Sequence, residues 1–143
     1  MITVKTETGA LAKAGGNADL PRILLVEDEK PIRDFIVPLL FGDGFDCREA
    51  ADGRAAMQLL ATGTRINLVL SNMLLPVVDG LTLLLHVKER YPQIPFAFVS
   101  AVNDAAIRKE AMLRGADGYL LKPFSGEEFL AFVRTAIGKA PRR

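Results

Sequence analysis

Short apolar runs recur along the chain, separated by segments in which apolar residues return every three or four positions. Ile23-Leu24-Leu25-Val26 is unbroken by a polar residue, as expected of a strand covered on both faces. Pro31 suits the first turn of a following helix, in which Ile32, Phe35, Ile36 and Leu39 keep helical spacing. Pro38 conflicts with that pattern and predicts a kinked or shortened helix. Gly42-Asp43-Gly44 ends it, and Phe45 to Glu49 is the second strand expected. Asp52-Gly53 is a turn signal, after which Ala55 to Leu60 reads as a helix stopped by Gly63. Leu68-Val69-Leu70 is the third strand, and Leu81 to Arg90 the third helix, broken at Tyr91-Pro92. Phe96 to Val99 is the fourth strand. Asn103 is the expected cap of a helix reaching about Arg114, stopped by Gly115. Tyr119-Leu120-Leu121 is the fifth strand, and Ser125 with Glu128 has capping-box spacing for a last helix to about Ile137.

Five strands alternating with five helices imply βαβ units and one parallel sheet covered on both faces. The fold class expected is α/β, a flavodoxin-like doubly wound five-stranded sheet in the order 2-1-3-4-5, whose ligands sit at the carboxyl ends of the strands. Residues 1–20 read as a flexible polar tail, residues 21–138 as the folded domain and residues 139–143 as a basic end. No output domain is expected in the few residues after 138, and no internal repeat is present.

Composition narrows the class. The length of 143 residues suits one domain, and half of it is apolar, enough for a core. The formal net charge of +1 gives no basic field for nucleic acid. One cysteine, Cys47, leaves no internal disulfide and no cysteine-based zinc site. No apolar run has membrane length and no signal-peptide core opens the chain, so the expectation is a soluble, cytoplasmic protein with no membrane contact.

The strand order brings polar residues together. Glu27-Asp28-Glu29 follow the first strand, Asn72 the third, Ser100 the fourth and Lys122 the fifth. An acidic pair beside another oxygen donor suits Mg²⁺, and a lysine with a hydroxyl suits a phosphoryl group. Taken singly, each residue has a plainer account. The acids are a solvated helix start, Lys122 is a surface lysine, Ser100 is a turn residue and Asn72 is a loop residue. Four polar groups at ordered strand ends are harder to attribute to accident.

The segments Leu74-Leu75-Pro76-Val77-Val78-Asp79-Gly80 and Gly115-Ala116-Asp117-Gly118-Tyr119-Leu120-Leu121-Lys122-Pro123-Phe124 resemble the response regulator receiver family of two-component signalling, over about residues 21–138. The resemblance implies that Asp28 ligates Mg²⁺ directly and that Glu27 does so through water or as a second acid. It gives the Leu74 backbone carbonyl as a further ligand, Ser100 as the switch hydroxyl, Tyr119 as the aromatic switch and Lys122 as the phosphate-pairing lysine. For Tyr119 the plainer account is a partly buried strand tyrosine with its hydroxyl at the rim. It also implies partners such as a histidine kinase or a downstream effector.

In that family the position of Asn72 holds the aspartate that accepts phosphate. An acyl phosphate needs a carboxylate to attack phosphorus, and an amide is far less nucleophilic. The expectation is therefore a receiver-like signalling protein, not an enzyme, that works without phosphorylation and binds Mg²⁺ weakly or not at all. Ser71 is a second departure, since the family usually carries an apolar residue there. The alternative is a phosphorylatable regulator seen as an Asp-to-Asn variant, or one using a surrogate acceptor such as Asp28. His86 is expected to be a half-exposed helix histidine rather than a phosphotransfer site. A flavodoxin is disfavoured because Glu27-Asp28-Glu29 would repel a phosphate there, and no G-x-G-x-x-G or G-x-x-x-x-G-K-[ST] pattern occurs. The third and last helices carry more apolar residues than one buried stripe needs. The plain account is deep burial; the functional one is an exposed strip on the last helix for a partner or a homodimer.

Overall fold

The computed structural model describes residues 20–138; the expected tail, apart from residue 20, and the basic end fall outside these. Five strands form one parallel sheet: β1 (Arg22–Val26), β2 (Asp46–Ala50), β3 (Leu68–Ser71), β4 (Phe96–Ser100) and β5 (Gly118–Leu121), in the order 2-1-3-4-5. Between and after them run α1 (Lys30–Gly42), α2 (Gly53–Ala61), α3 (Gly80–Arg90), α4 (Ala105–Leu113) and α5 (Gly126–Ile137). This is the doubly wound architecture that the alternation of patterns implied.

The period of two along each buried strand divides the core. Ile23 and Leu25 on β1 join Ile36 and Leu40 of α1 and Phe129 and Val133 of α5 on one face. Leu24 and Val26 join Ala56 and Leu60 of α2 and Leu83, Leu84 and Val87 of α3 on the other. Each apolar run on a central strand therefore feeds two layers at once, which is why it lacks polar interruptions.

Local details correct the sequence expectation in places. The cap of α4 is Asp104, not Asn103; its carboxylate accepts from the Ala106 and Ile107 amides at 2.8 and 3.1 Å. Both residue types cap well, and Asp104 has the extended backbone of a cap at the helix entrance. Pro38 does not shorten α1, which continues to Gly42. Pro38 and Asp34, whose carbonyl loses its helical donor, are both exposed residues, so the lost bond falls on the solvent side of the helix. The second strand begins one residue later than expected, at Asp46.

The broad apolar face of α5 is largely covered. Phe129 and Val133 are fully buried, and Leu130, Phe132 and Ile137 pack partly against the core. Among the described residues, the large apolar side chains that stand exposed lie instead on α1, α3, α4 and the loop before α3, Phe35, Phe41, Leu74 and Leu113 among them. The packing fits the plain account of this helix, burial, with Leu130, Phe132 and Ile137 left half-buried at its margin.

Candidate functional site

Four of the five strands, β1, β3, β4 and β5, deliver a polar residue at or just past their carboxyl ends. Asp28, Asn72, Leu74, Ser100 and Lys122 line one crevice there, joined by Glu29, Ala101 and Val102. Of the expected site residues, Glu27 and Tyr119 are set back from its wall.

Asn72 is held on both sides. Its amide donates to the Val26 carbonyl at 3.0 Å, and its carbonyl accepts from the Ser71 hydroxyl at 2.8 Å. The second bond accounts for a serine that is 1% exposed at the end of an apolar strand, since a buried hydroxyl needs a partner. The side-chain oxygen of Asn72 accepts from the Met73 amide at 2.9 Å. Gly80 is required by the same packing: a Cβ there would lie 2.4 Å from the Asn72 carbonyl oxygen. Asp79 caps α3 by accepting from the Thr82 amide at 2.8 Å. The Asp79-Gly80 pair thus starts a helix and lets it press against the end of β3.

Lys122 reaches across the crevice. Its ammonium donates to Glu27 Oε1 at 2.7 Å, with side-chain exposures of 14% for the lysine and 2% for the glutamate. Glu27 Oε2 accepts from the Glu29 amide at 3.1 Å. Asp28 is exposed on the wall.

Ser100 and Tyr119 meet at Val102. The Val102 amide donates to Ser100 Oγ at 3.1 Å, and the Tyr119 hydroxyl donates to the Val102 carbonyl at 2.8 Å. The Tyr119 ring packs 5.7 Å from that of Phe98, and the Arg108 guanidinium carbon lies 5.5 Å from its centroid, within cation–π range. Tyr119 is half-buried with its hydroxyl engaged at the loop.

The oxygen donors here are of the hard kind that Mg²⁺ takes. Asp28 and Glu29 supply carboxylates, Asn72 a carboxamide and Leu74 a backbone carbonyl at the rim. Glu27 is committed to Lys122, and among the described residues no three His, Cys, Asp or Glu side chains are grouped to hold a metal. The set fits a divalent cation in donor type and is short of it in charge. His86 lies on α3 with its ring 6.2 Å from Tyr91; burial, with Arg90 adding to it, lowers its pKa, so the ring is neutral near pH 7.

Sequence reasoning did not single out Arg33 or Val102. Arg33 donates to the Glu27 carbonyl at 2.6 Å and to Glu49 at 3.2 Å. An arginine on a helix surface carries no periodic signal of such a role.

A family model described as the response regulator receiver domain matches residues 23–134. The chain belongs to the response regulator receiver family. It is 34% identical over 125 residues to the DNA-binding dual master transcriptional regulator RpaA of Synechocystis sp., covering 86% of this chain and 52% of that protein. It is 36% identical over 113 residues to the transcriptional regulatory protein DltR of Streptococcus agalactiae, covering 79% of this chain and 50% of that protein. The receiver thus spans about half the length of these curated relatives. Among solved structures, the signal receiver domain of an HD domain-containing protein from Pseudomonas fluorescens matches with a TM-score of 0.78 and 32% identity, over 83% of this chain and 95% of that one. Receivers are signalling modules of two-component systems, acting with histidine kinases and effector domains, and they generally bind Mg²⁺ in an acidic crevice. Among the described residues no helix is long and apolar enough to cross a membrane.

Proposed function

We propose that this receiver signals through protein contacts without being phosphorylated, because Asn72 stands where the acceptor aspartate would be. The observation that carries the reading is the placement of Asn72 in the crevice with Asp28, Ser100 and Lys122. Its side-chain oxygen carries no formal charge and already accepts the Met73 amide. Phosphoryl transfer depends on an aligned nucleophile and on charge neutralisation around it. Here the nucleophile is missing while the surrounding groups are retained.

On this reading Asp28 is the chief metal donor, helped by the Leu74 carbonyl and the Asn72 carboxamide, while Glu27 serves elsewhere. When bound, Mg²⁺ would neutralise acidic charge in the crevice. Ser100 and Tyr119 form the switch pair, and Lys122 is the cation facing an incoming anion. The protein acts in the cytoplasm, with a histidine kinase or a downstream effector as partner.

The test is intact mass after incubation with Mg²⁺ and a small phosphoryl donor, on this chain and on Asn72→Asp. A phosphate mass on the variant alone supports the reading. A phosphate mass on the unaltered chain overturns it and points to a surrogate acceptor such as Asp28. Calorimetric Mg²⁺ titration of the same two proteins should give tighter binding to Asn72→Asp, which adds a carboxylate; equal affinities would remove Asn72 from the metal site.

A further inference from the structure

Glu27 has every polar group engaged. Its amide donates to the Ala50 carbonyl at 3.0 Å, and its carbonyl accepts from Arg33 Nη1 at 2.6 Å. Oε1 takes the Lys122 ammonium at 2.7 Å and Oε2 the Glu29 amide at 3.1 Å. Arg33 comes from α1 and is itself anchored on Glu49 at 3.2 Å, with its side chain 17% exposed. One guanidinium therefore fixes the end of β1 against α1 and β2. From the far side, Lys122 arrives from β5, passing the carboxyl ends of β3 and β4.

A nearly buried ammonium needs a nearby negative charge, because losing its partner leaves an uncompensated ion out of water. An amide at position 72 cannot provide that charge. We propose that Arg33 is a positioning residue that holds Glu27 as the built-in counter-ion of Lys122, and that Glu27 carries alone a charge balance that a carboxylate at position 72 would share. The second part rests on the reading of Asn72 given above; the first does not. Glu27 is then a structural anion rather than a metal donor, and Lys122 is already occupied before any anion reaches the crevice.

The experiment is acylation of lysines by a small amine-reactive ester, read residue by residue by peptide mass spectrometry, in metal-free buffer without phosphoryl donor. Exposed Lys109 serves as the internal reference. Lys122 should react several-fold more slowly than Lys109 in the unaltered chain. Arg33→Ala should raise Lys122 labelling several-fold with Lys109 unchanged, and Arg33→Lys should restore part of the protection. Glu49→Gln, which frees the other end of the arginine, should shift Lys122 the same way and decides the matter if Arg33→Ala does not fold. Unchanged Lys122 labelling in folded Arg33→Ala or Glu49→Gln overturns the positioning role. Glu27→Gln should expose Lys122, and adding Asn72→Asp should restore its protection. Failure of that restoration overturns the shared-charge part. None of these readouts depends on phosphorylation, so they stand or fall apart from the mass assay.

Discussion

Val77 holds φ at 70° in the loop between β3 and α3, at the centre of a turn closed by the Val78 amide on the Pro76 carbonyl at 2.8 Å. A β-branched residue pays about 1–3 kcal/mol for backbone held in such a sparsely populated region. Burial does not offset that cost, since the side chain is 67% exposed. The turn is held from outside: a Cβ on Gly53 at the start of α2 would lie 2.3 Å from the Val78 carbonyl oxygen, so the helix start and the loop are in direct backbone contact. Val77→Gly, which reaches positive φ without a Cβ, should raise stability by up to about 1 kcal/mol in urea unfolding. A loss instead would mean that the valine methyls make contacts worth more than the strain. The loop borders the candidate site, where stored strain is commonly found.

At the scale of elements, entrances are specified by short polar side chains. Asp52, Asp79, Asp104 and Ser125 each accept from an amide one turn on. Ser125 also forms the full box, its amide donating to Glu128 Oε1 at 2.8 Å while the Glu128 amide donates back at 3.0 Å. Ser125→Ala should cost about 1 kcal/mol, seen as a lower Tm; an unchanged Tm would show that packing of Phe129 and Val133 alone holds the helix. These entrances were legible where one capping residue stood alone, as at Ser125. At Asn103-Asp104 two good caps are adjacent, and the selection depends on backbone angles that no pattern encodes. Pro38 does not end α1 as a helix breaker can, since the helix runs on to Gly42 with the proline on its exposed side.

At the scale of the molecule, the sheet order and the convergence of Asp28, Asn72, Ser100 and Lys122 followed from alternation and strand polarity. What the sequence hid were contacts made by long side chains across elements. Arg33 and Glu49 are ordinary helix and strand residues until the fold brings them to Glu27. The width of the apolar face on α5 was visible, but whether neighbours cover it depends on packing of α1 and β5 against it. Cys47 gives a probe of the whole. It is 9% exposed on the edge strand β2, and burial pushes its thiol well above the usual range, which leaves almost no reactive thiolate at neutral pH. Thiol labelling of the native protein should be negligible and should appear along the urea unfolding transition. Fast labelling in native buffer would show instead that β2 opens by itself.

The Glu27–Lys122 pair joins residues 95 positions apart in the chain. On the ribosome the glutamate emerges with the first strand, and its lysine is made only after four more strand-and-helix turns of translation. Until then the interior acid has no cation, and a half-made sheet cannot close around it without stranding a charge. The last strand therefore brings more than its apolar residues: its lysine supplies the counter-charge to an acid laid down at the start.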